Sequence, residues 1–121
     1  MNRVLLIDDN ITITRLYGAA LRNAGHHVEI AHDGRTGLTA VTTFKPDLVI
    51  LDLAMPNGNG VDVLAAIRAD PDAAATPVIV FSNTFTNERL EKLWKAGVSQ
   101  VLSKASSTPK QVVAAVKELL D

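Results

Sequence analysis

Apolar residues fall in two rhythms along this chain: short unbroken runs, and longer stretches in which they recur every three or four positions. Val4-Leu5-Leu6-Ile7, Leu48-Val49-Ile50-Leu51 and Val78-Ile79-Val80-Phe81 are too short for helices. They are rich in the residues of strands buried on both faces. Residues 26–31 and 98–103 read as two further strands, the first less apolar and nearer an edge. Between the runs the period lengthens. A helix from Asn10 has Ile13, Leu16, Tyr17, Ala20, Leu21 and Ala24 at helical spacing, with Gly25 placed to end it. Asp33 caps a second helix to about position 43, with Leu38 and Val41 inward, and Pro46 closes its turn. Val61, Leu64 and Ile67 form a third stripe ending near Asp70-Pro71. Thr86 or Asn87 opens a fourth helix with Leu90, Leu93 and Trp94, terminated by Ala96-Gly97. Thr108-Pro109-Lys110-Gln111 is a capping box with proline at the first helical position. It starts a last helix bearing Val112, Val113, Val116, Leu119 and Leu120.

Five strands alternating with five helices predict an α/β fold, a doubly wound parallel sheet with right-handed crossovers. At 121 residues and 47% apolar content, residues 1–121 are expected to form one domain around one core. A net charge of -1 without a basic stripe argues against direct nucleic-acid binding. The absence of cysteine excludes disulfides, thiol chemistry and cysteine-ligated metal. No apolar run approaches a membrane span, and the N-terminus enters its first strand without a signal-peptide pattern. A soluble, cytoplasmic protein is expected.

The candidate chemistry lies at strand ends. Asp8-Asp9, Asp52, Ser82 and Lys104 each follow a buried run, and Asp52 stands just before the loop Met55-Pro56-Asn57-Gly58-Asn59-Gly60. In a parallel sheet these ends share one edge, where ligands of open α/β sheets bind. Three carboxylates brought close repel, and a cation relieves them. The donors are all oxygen, which favours a hard ion, Mg²⁺ or Mn²⁺. A carboxylate so placed can attack phosphorus, with Lys104 and Ser82 stabilising charge on the phosphoryl oxygens.

With these residues in view, the chain resembles a response-regulator receiver domain of two-component signalling, of the stand-alone type. The matching pieces are Asp8-Asp9, Leu51-Asp52-Leu53-Ala54-Met55-Pro56 with Gly60, Ser82, and Lys104 after Ala96-Gly97. The resemblance implies a flavodoxin-like fold with strand order 2-1-3-4-5. It implies that Asp52 accepts phosphate from a histidine kinase or phosphotransfer protein. It also implies Mg²⁺ held by Asp9, Asp52 and the Ala54 carbonyl, with Asp8 acting partly through water. It implies a phosphoprotein that assists its own phosphorylation and dephosphorylation, not an enzyme with a turning-over substrate. Output is expected to pass by contact to a downstream protein, since the stated sequence ends with its last helix and carries no output domain, and a monomer or weak dimer is expected.

Two departures bear on that output. The family usually has Lys-Pro with a cis bond, and here Ala105 follows Lys104, so a trans peptide is expected. The usual aromatic switch residue is Val101. Rearrangement is therefore expected to fall on Asn83, Thr84 and the following helix, with Leu90 and Trp94 as a side stripe on the output face. Val101 and Ala105 also support an alternative, a phosphorylation-independent interaction module. A small aspartate-nucleophile phosphatase would need an acid where Ala54 stands. His26, His27 and His32 surround an edge strand, away from the acids. Asn10-Ile11-Thr12 matches a glycosylation sequon without other signs of secretion, and no glycine-rich nucleotide loop is present.

Overall fold

The computed structural model describes residues 2–55, 60–83 and 86–121. Its elements, in order, are β1 (Arg3–Ile7), α1 (Ile11–Asn23), β2 (His27–Ala31), α2 (Gly34–Phe44) and β3 (Leu48–Leu51). They continue with α3 (Gly60–Ala69), β4 (Val78–Ser82), α4 (Asn87–Lys95), β5 (Gln100–Ser103) and α5 (Pro109–Leu120). All pairings are parallel and the strand order is β2-β1-β3-β4-β5. The parallel sheet is the one expected from the alternation, and its strand order is the flavodoxin-like one that the resemblance implies.

The unbroken apolar runs follow from a sheet covered on both faces, because successive side chains enter opposite layers. Leu5, Ile7, Val49, Leu51, Val78 and Val80 pack with Val41, Val63, Leu64, Ile67 and Leu93 from α2, α3 and α4. Val4, Leu6, Leu48, Ile50, Ile79 and Phe81 pack with Tyr17, Leu21, Val112, Ala115 and Val116 from α1 and α5. Asn10, Asp33, Thr86 and Thr108 cap their helices through side-chain oxygens, and the Thr108–Gln111 capping box is complete.

Three details differ from the sequence pattern. The buried face of α1 is Thr14, Tyr17, Gly18 and Leu21, whereas Leu16 is exposed and Ala24 lies in solvent at the cap. Thr14 and Gly18 carry no apolar signal, yet the Thr14 hydroxyl is satisfied by the Ile11 carbonyl and can be buried. Leu90 packs against the core instead of joining Trp94 in a separate stripe. Trp94 itself is 54% exposed. The fifth strand begins at Gln100, two residues later than its apolar content suggests.

The far end of α4 is held by a side chain. Gly97 adopts φ +87, a left-handed conformation that an L side chain rarely takes. Its carbonyl accepts from Arg68 Nε and an Arg68 terminal nitrogen at 3.1 and 2.7 Å. The other terminal nitrogen of Arg68 donates to the Thr76 and Ala74 carbonyls. One arginine of α3 thus ties the α3–β4 connection to the turn before β5.

Candidate functional site

The sheet's carboxyl edge is set by the backbone. Asp8 N–H donates to the Ala31 carbonyl, Asp52 N–H to the Ile7 carbonyl, and Lys104 N–H to the Ser82 carbonyl. These bonds extend the strand ladders one residue and bring the first, third, fourth and fifth strand ends into register. Asp52 lies just past β3, and the first turn of α3 lies directly against its backbone. A Cβ on Gly60 would stand 2.5 Å from the Asp52 carbonyl oxygen and 2.6 Å from Leu53 Cα. Only glycine permits that approach.

Asp8 and Asp52 are buried and Asp9 is exposed. One carboxylate oxygen from each lies within 4.8 Å of the others. Lys104 reaches in from the end of β5, its side chain only 12% exposed, to 2.6 Å from Asp8 Oδ2 and 3.5 Å from Asp52 Oδ2. The remaining oxygens have lighter support. Asp8 Oδ1 accepts from Asn10 N–H at 2.9 Å, and Asp52 Oδ1 accepts from Ala54 N–H at 3.3 Å. Ser82 is buried at the end of β4, paired in register with Ser103.

Burial pushes the Asp52 carboxyl up to about 6, with repulsion from Asp8 and then Asp9 acting in the same direction. Lys104 and the Ala54 N–H oppose the rise without cancelling it. Three carboxylates face one ammonium, so full ionisation leaves the cluster short of two positive charges. A divalent cation supplies that number. The all-oxygen donor set, part buried and part open, suits a hard ion that keeps some of its water. Receiver domains bind Mg²⁺ or Mn²⁺ at an acidic pocket of this kind, and the acidic cluster is present here. Among the described residues this trio alone has metal-holding geometry. The three histidines do not join it. His32 Nε2 lies 3.4 Å from the Thr14 hydroxyl, and His26 and His27 lie at the opposite end of β2.

Of the residues assigned to output, Asn83 is exposed directly after β4 and Thr84 lies outside the described residues. Val101 is half-buried and packs against the α2–α4 layer. No cis peptide occurs among the described residues, so Lys104–Ala105 is trans as expected. One group near the site carried no local signal in the sequence. The Lys104 ammonium lies 5.8 Å from the centroid of the Phe81 ring, and Tyr17 meets that ring edge-on at 4.9 Å. Phe81 and Tyr17 read as plain core positions, because what joins them to Lys104 is the approach of three elements distant in sequence.

A family model of the response regulator receiver domain matches residues 4–117. Protein PilH of Pseudomonas aeruginosa is 32% identical over 106 residues, covering 86% of this chain and 86% of PilH. The DNA-binding response regulator MtrA of Mycolicibacterium paratuberculosis is 31% identical over 118 residues, covering 98% of this chain and 51% of MtrA. The chain thus spans about half the length of that relative. The chemotaxis protein CheY4 of Vibrio cholerae superposes with a TM-score of 0.93 at 28% identity, covering 99% of both chains.

Proposed function

Because the chain belongs to the response regulator receiver domain family of two-component signalling, we propose that it is switched by phosphorylation on Asp52. The observation that carries the reading is Lys104 bridging Asp8 and Asp52 inside a cluster of three carboxylates. Asp8, Asp9 and Asp52, with the Ala54 carbonyl, would hold Mg²⁺ or Mn²⁺. When bound, such an ion neutralises the carboxylates and the oxygens of an incoming phosphoryl group.

An Asp52 carboxylate oxygen attacks the phosphorus of a phosphohistidine on the donor protein. The O–P bond forms as the N–P bond breaks, and the departing imidazole leaves with its electron pair and takes up a proton. Lys104 is already held 3.5 Å from Asp52 and needs a small movement to pair with a phosphoryl oxygen. The buried Ser82 hydroxyl supplies a second donor at the end of β4. Receiver domains are generally not enzymes, and here the same residues assist both gain and loss of the phosphoryl group.

Output runs by protein contact, through residues 83–95 and their surroundings, to a downstream partner. One domain over residues 1–121, a cytoplasmic location and a monomeric or weakly dimeric state belong to the same reading. No helix among the described residues is long and apolar enough to cross a membrane. The half-buried Val101, in place of a ring, favours a second reading, an interaction module indifferent to phosphate. Incubation with Mg²⁺ and a small phosphodonor, followed by intact mass and peptide mapping, separates the two. One phosphoryl group on Asp52, absent from Asp52→Asn, is expected. Modification of Ser82 with Asp52 untouched defeats the mechanism.

A further inference from the structure

Lys104 touches more than the acids. Its ammonium, pinned at 2.6 Å to Asp8, also lies within cation–π range of the Phe81 ring. Phe81 is fully buried in β4, next to Ser82, on the face covered by α1 and α5. Tyr17 of α1 is buried against it in an edge-to-face pair. The Tyr17 hydroxyl crosses to the connection between β5 and α5 and donates to the Ser107 carbonyl at 3.0 Å. Ser107 directly precedes Thr108, which caps α5, and lies three residues beyond Lys104. The chain Lys104–Phe81–Tyr17–Ser107 therefore closes on the loop that carries Lys104.

We propose that Phe81 and Tyr17 are positioning residues for Lys104, and that they carry the state of the acid site to the β5–α5 connection and α1. This link rests on the assignment of Asp52 as phosphoacceptor for its use in signalling, and stands on geometry alone for its existence. It supplies on the α1–α5 face an aromatic element beside the lysine, where Val101 supplies none on the other face. A lysine drawn toward a phosphoryl group on Asp52 leaves the ring beneath it. The ring and its edge-on partner then change contact, and the Tyr17 hydroxyl transmits the change to Ser107.

Tyr17 is the chain's only tyrosine, so a ring-labelled sample yields one tyrosine signal in NMR. In the unphosphorylated protein, Lys104→Met should shift that signal, and the shift should fall by at least about half in a Phe81→Leu background. In the parent with Mg²⁺ and a small phosphodonor, the signal should move in proportion to the phosphorylated fraction read by intact mass. Phe81→Leu should slow phosphorylation of Asp52 roughly two- to five-fold, the scale of a lost cation–π contact. Tyr17→Phe keeps the ring and removes only the hydroxyl, so it remains informative if Phe81→Leu does not fold. It should speed amide exchange at residues 105–108 while changing the phosphorylation rate by no more than about two-fold. A Tyr17 signal indifferent to Lys104→Met, a shift undiminished without Phe81, or unchanged loop exchange in Tyr17→Phe overturns the link. Absence of phosphate on Asp52 overturns the acceptor reading and leaves the Lys104→Met comparison to decide the link.

Discussion

Without a divalent ion, Asp52 should make the folded protein less stable as pH rises. Its carboxyl sits at about 6 in the folded chain against 3.8 for the ordinary group. The folded state therefore binds more protons than the unfolded state between those values, and stability falls with pH across that window. The favourable term is fully present below about 3.8 and is lost as pH rises through about 6. A shift of about two units corresponds to about 3 kcal/mol at pH 8. Asp52→Asn replaces the carboxylate with a neutral group of similar shape, so it removes that cost while leaving the fold in place. Urea titrations of parent and variant in chelator should place the variant about 2–3 kcal/mol more stable at pH 8. The gap should shrink to roughly half by pH 5 and to about a fifth by pH 4. Excess Mg²⁺ at pH 8 should narrow it by stabilising the parent alone. A gap that stays constant from pH 4 to pH 8, or a parent more stable than the variant at pH 8, would show that Asp52 is not held against repulsion and burial.

Gly60→Ala should displace the start of α3 from the backbone at 52–53, because the added methyl meets main-chain atoms that cannot turn aside. A stability loss of about 1–3 kcal/mol and slower phosphorylation are expected, and a variant phosphorylated at the parent rate would contradict this. Arg68→Ala removes donors to the Gly97, Ala74 and Thr76 carbonyls and should cost about 1–2 kcal/mol in urea titration, with Arg68→Lys recovering only part. Trp94 is the only tryptophan and is exposed, so its emission should change on phosphorylation, less in Ser82→Ala and differently in Val101→Tyr. Full phosphorylation with unchanged emission and unchanged amide exchange in residues 86–95 would place the output on another face.

Local chemistry alone determined most of the fold. Unbroken apolar runs can only be buried on both faces, and helical stripes between them leave no alternative to a covered parallel sheet. The caps at Asn10, Asp33, Thr86 and Thr108 are equally local, since each side chain serves an N–H three residues ahead. Strand ends in a parallel sheet share an edge, so Asp8, Asp9, Asp52, Ser82 and Lys104 were already grouped by position.

Tertiary structure decided what position could not. Which acid Lys104 binds more closely depends on side-chain reach across three strands, and the nearer partner is Asp8. The rise at Asp52 comes from burial, which no motif measures. The inward face of α1 turned away from Leu16 because a satisfied threonine and a side-chain-free glycine pack as well as apolar residues do. Leu90 joined the core because α4 has one fully buried residue, Leu93, and its neighbour one turn earlier fills the same side. The Lys104–Phe81–Tyr17–Ser107 contacts join positions 17, 81, 104 and 107, and only the packing of α1 against β4 and the β5–α5 connection brings them together.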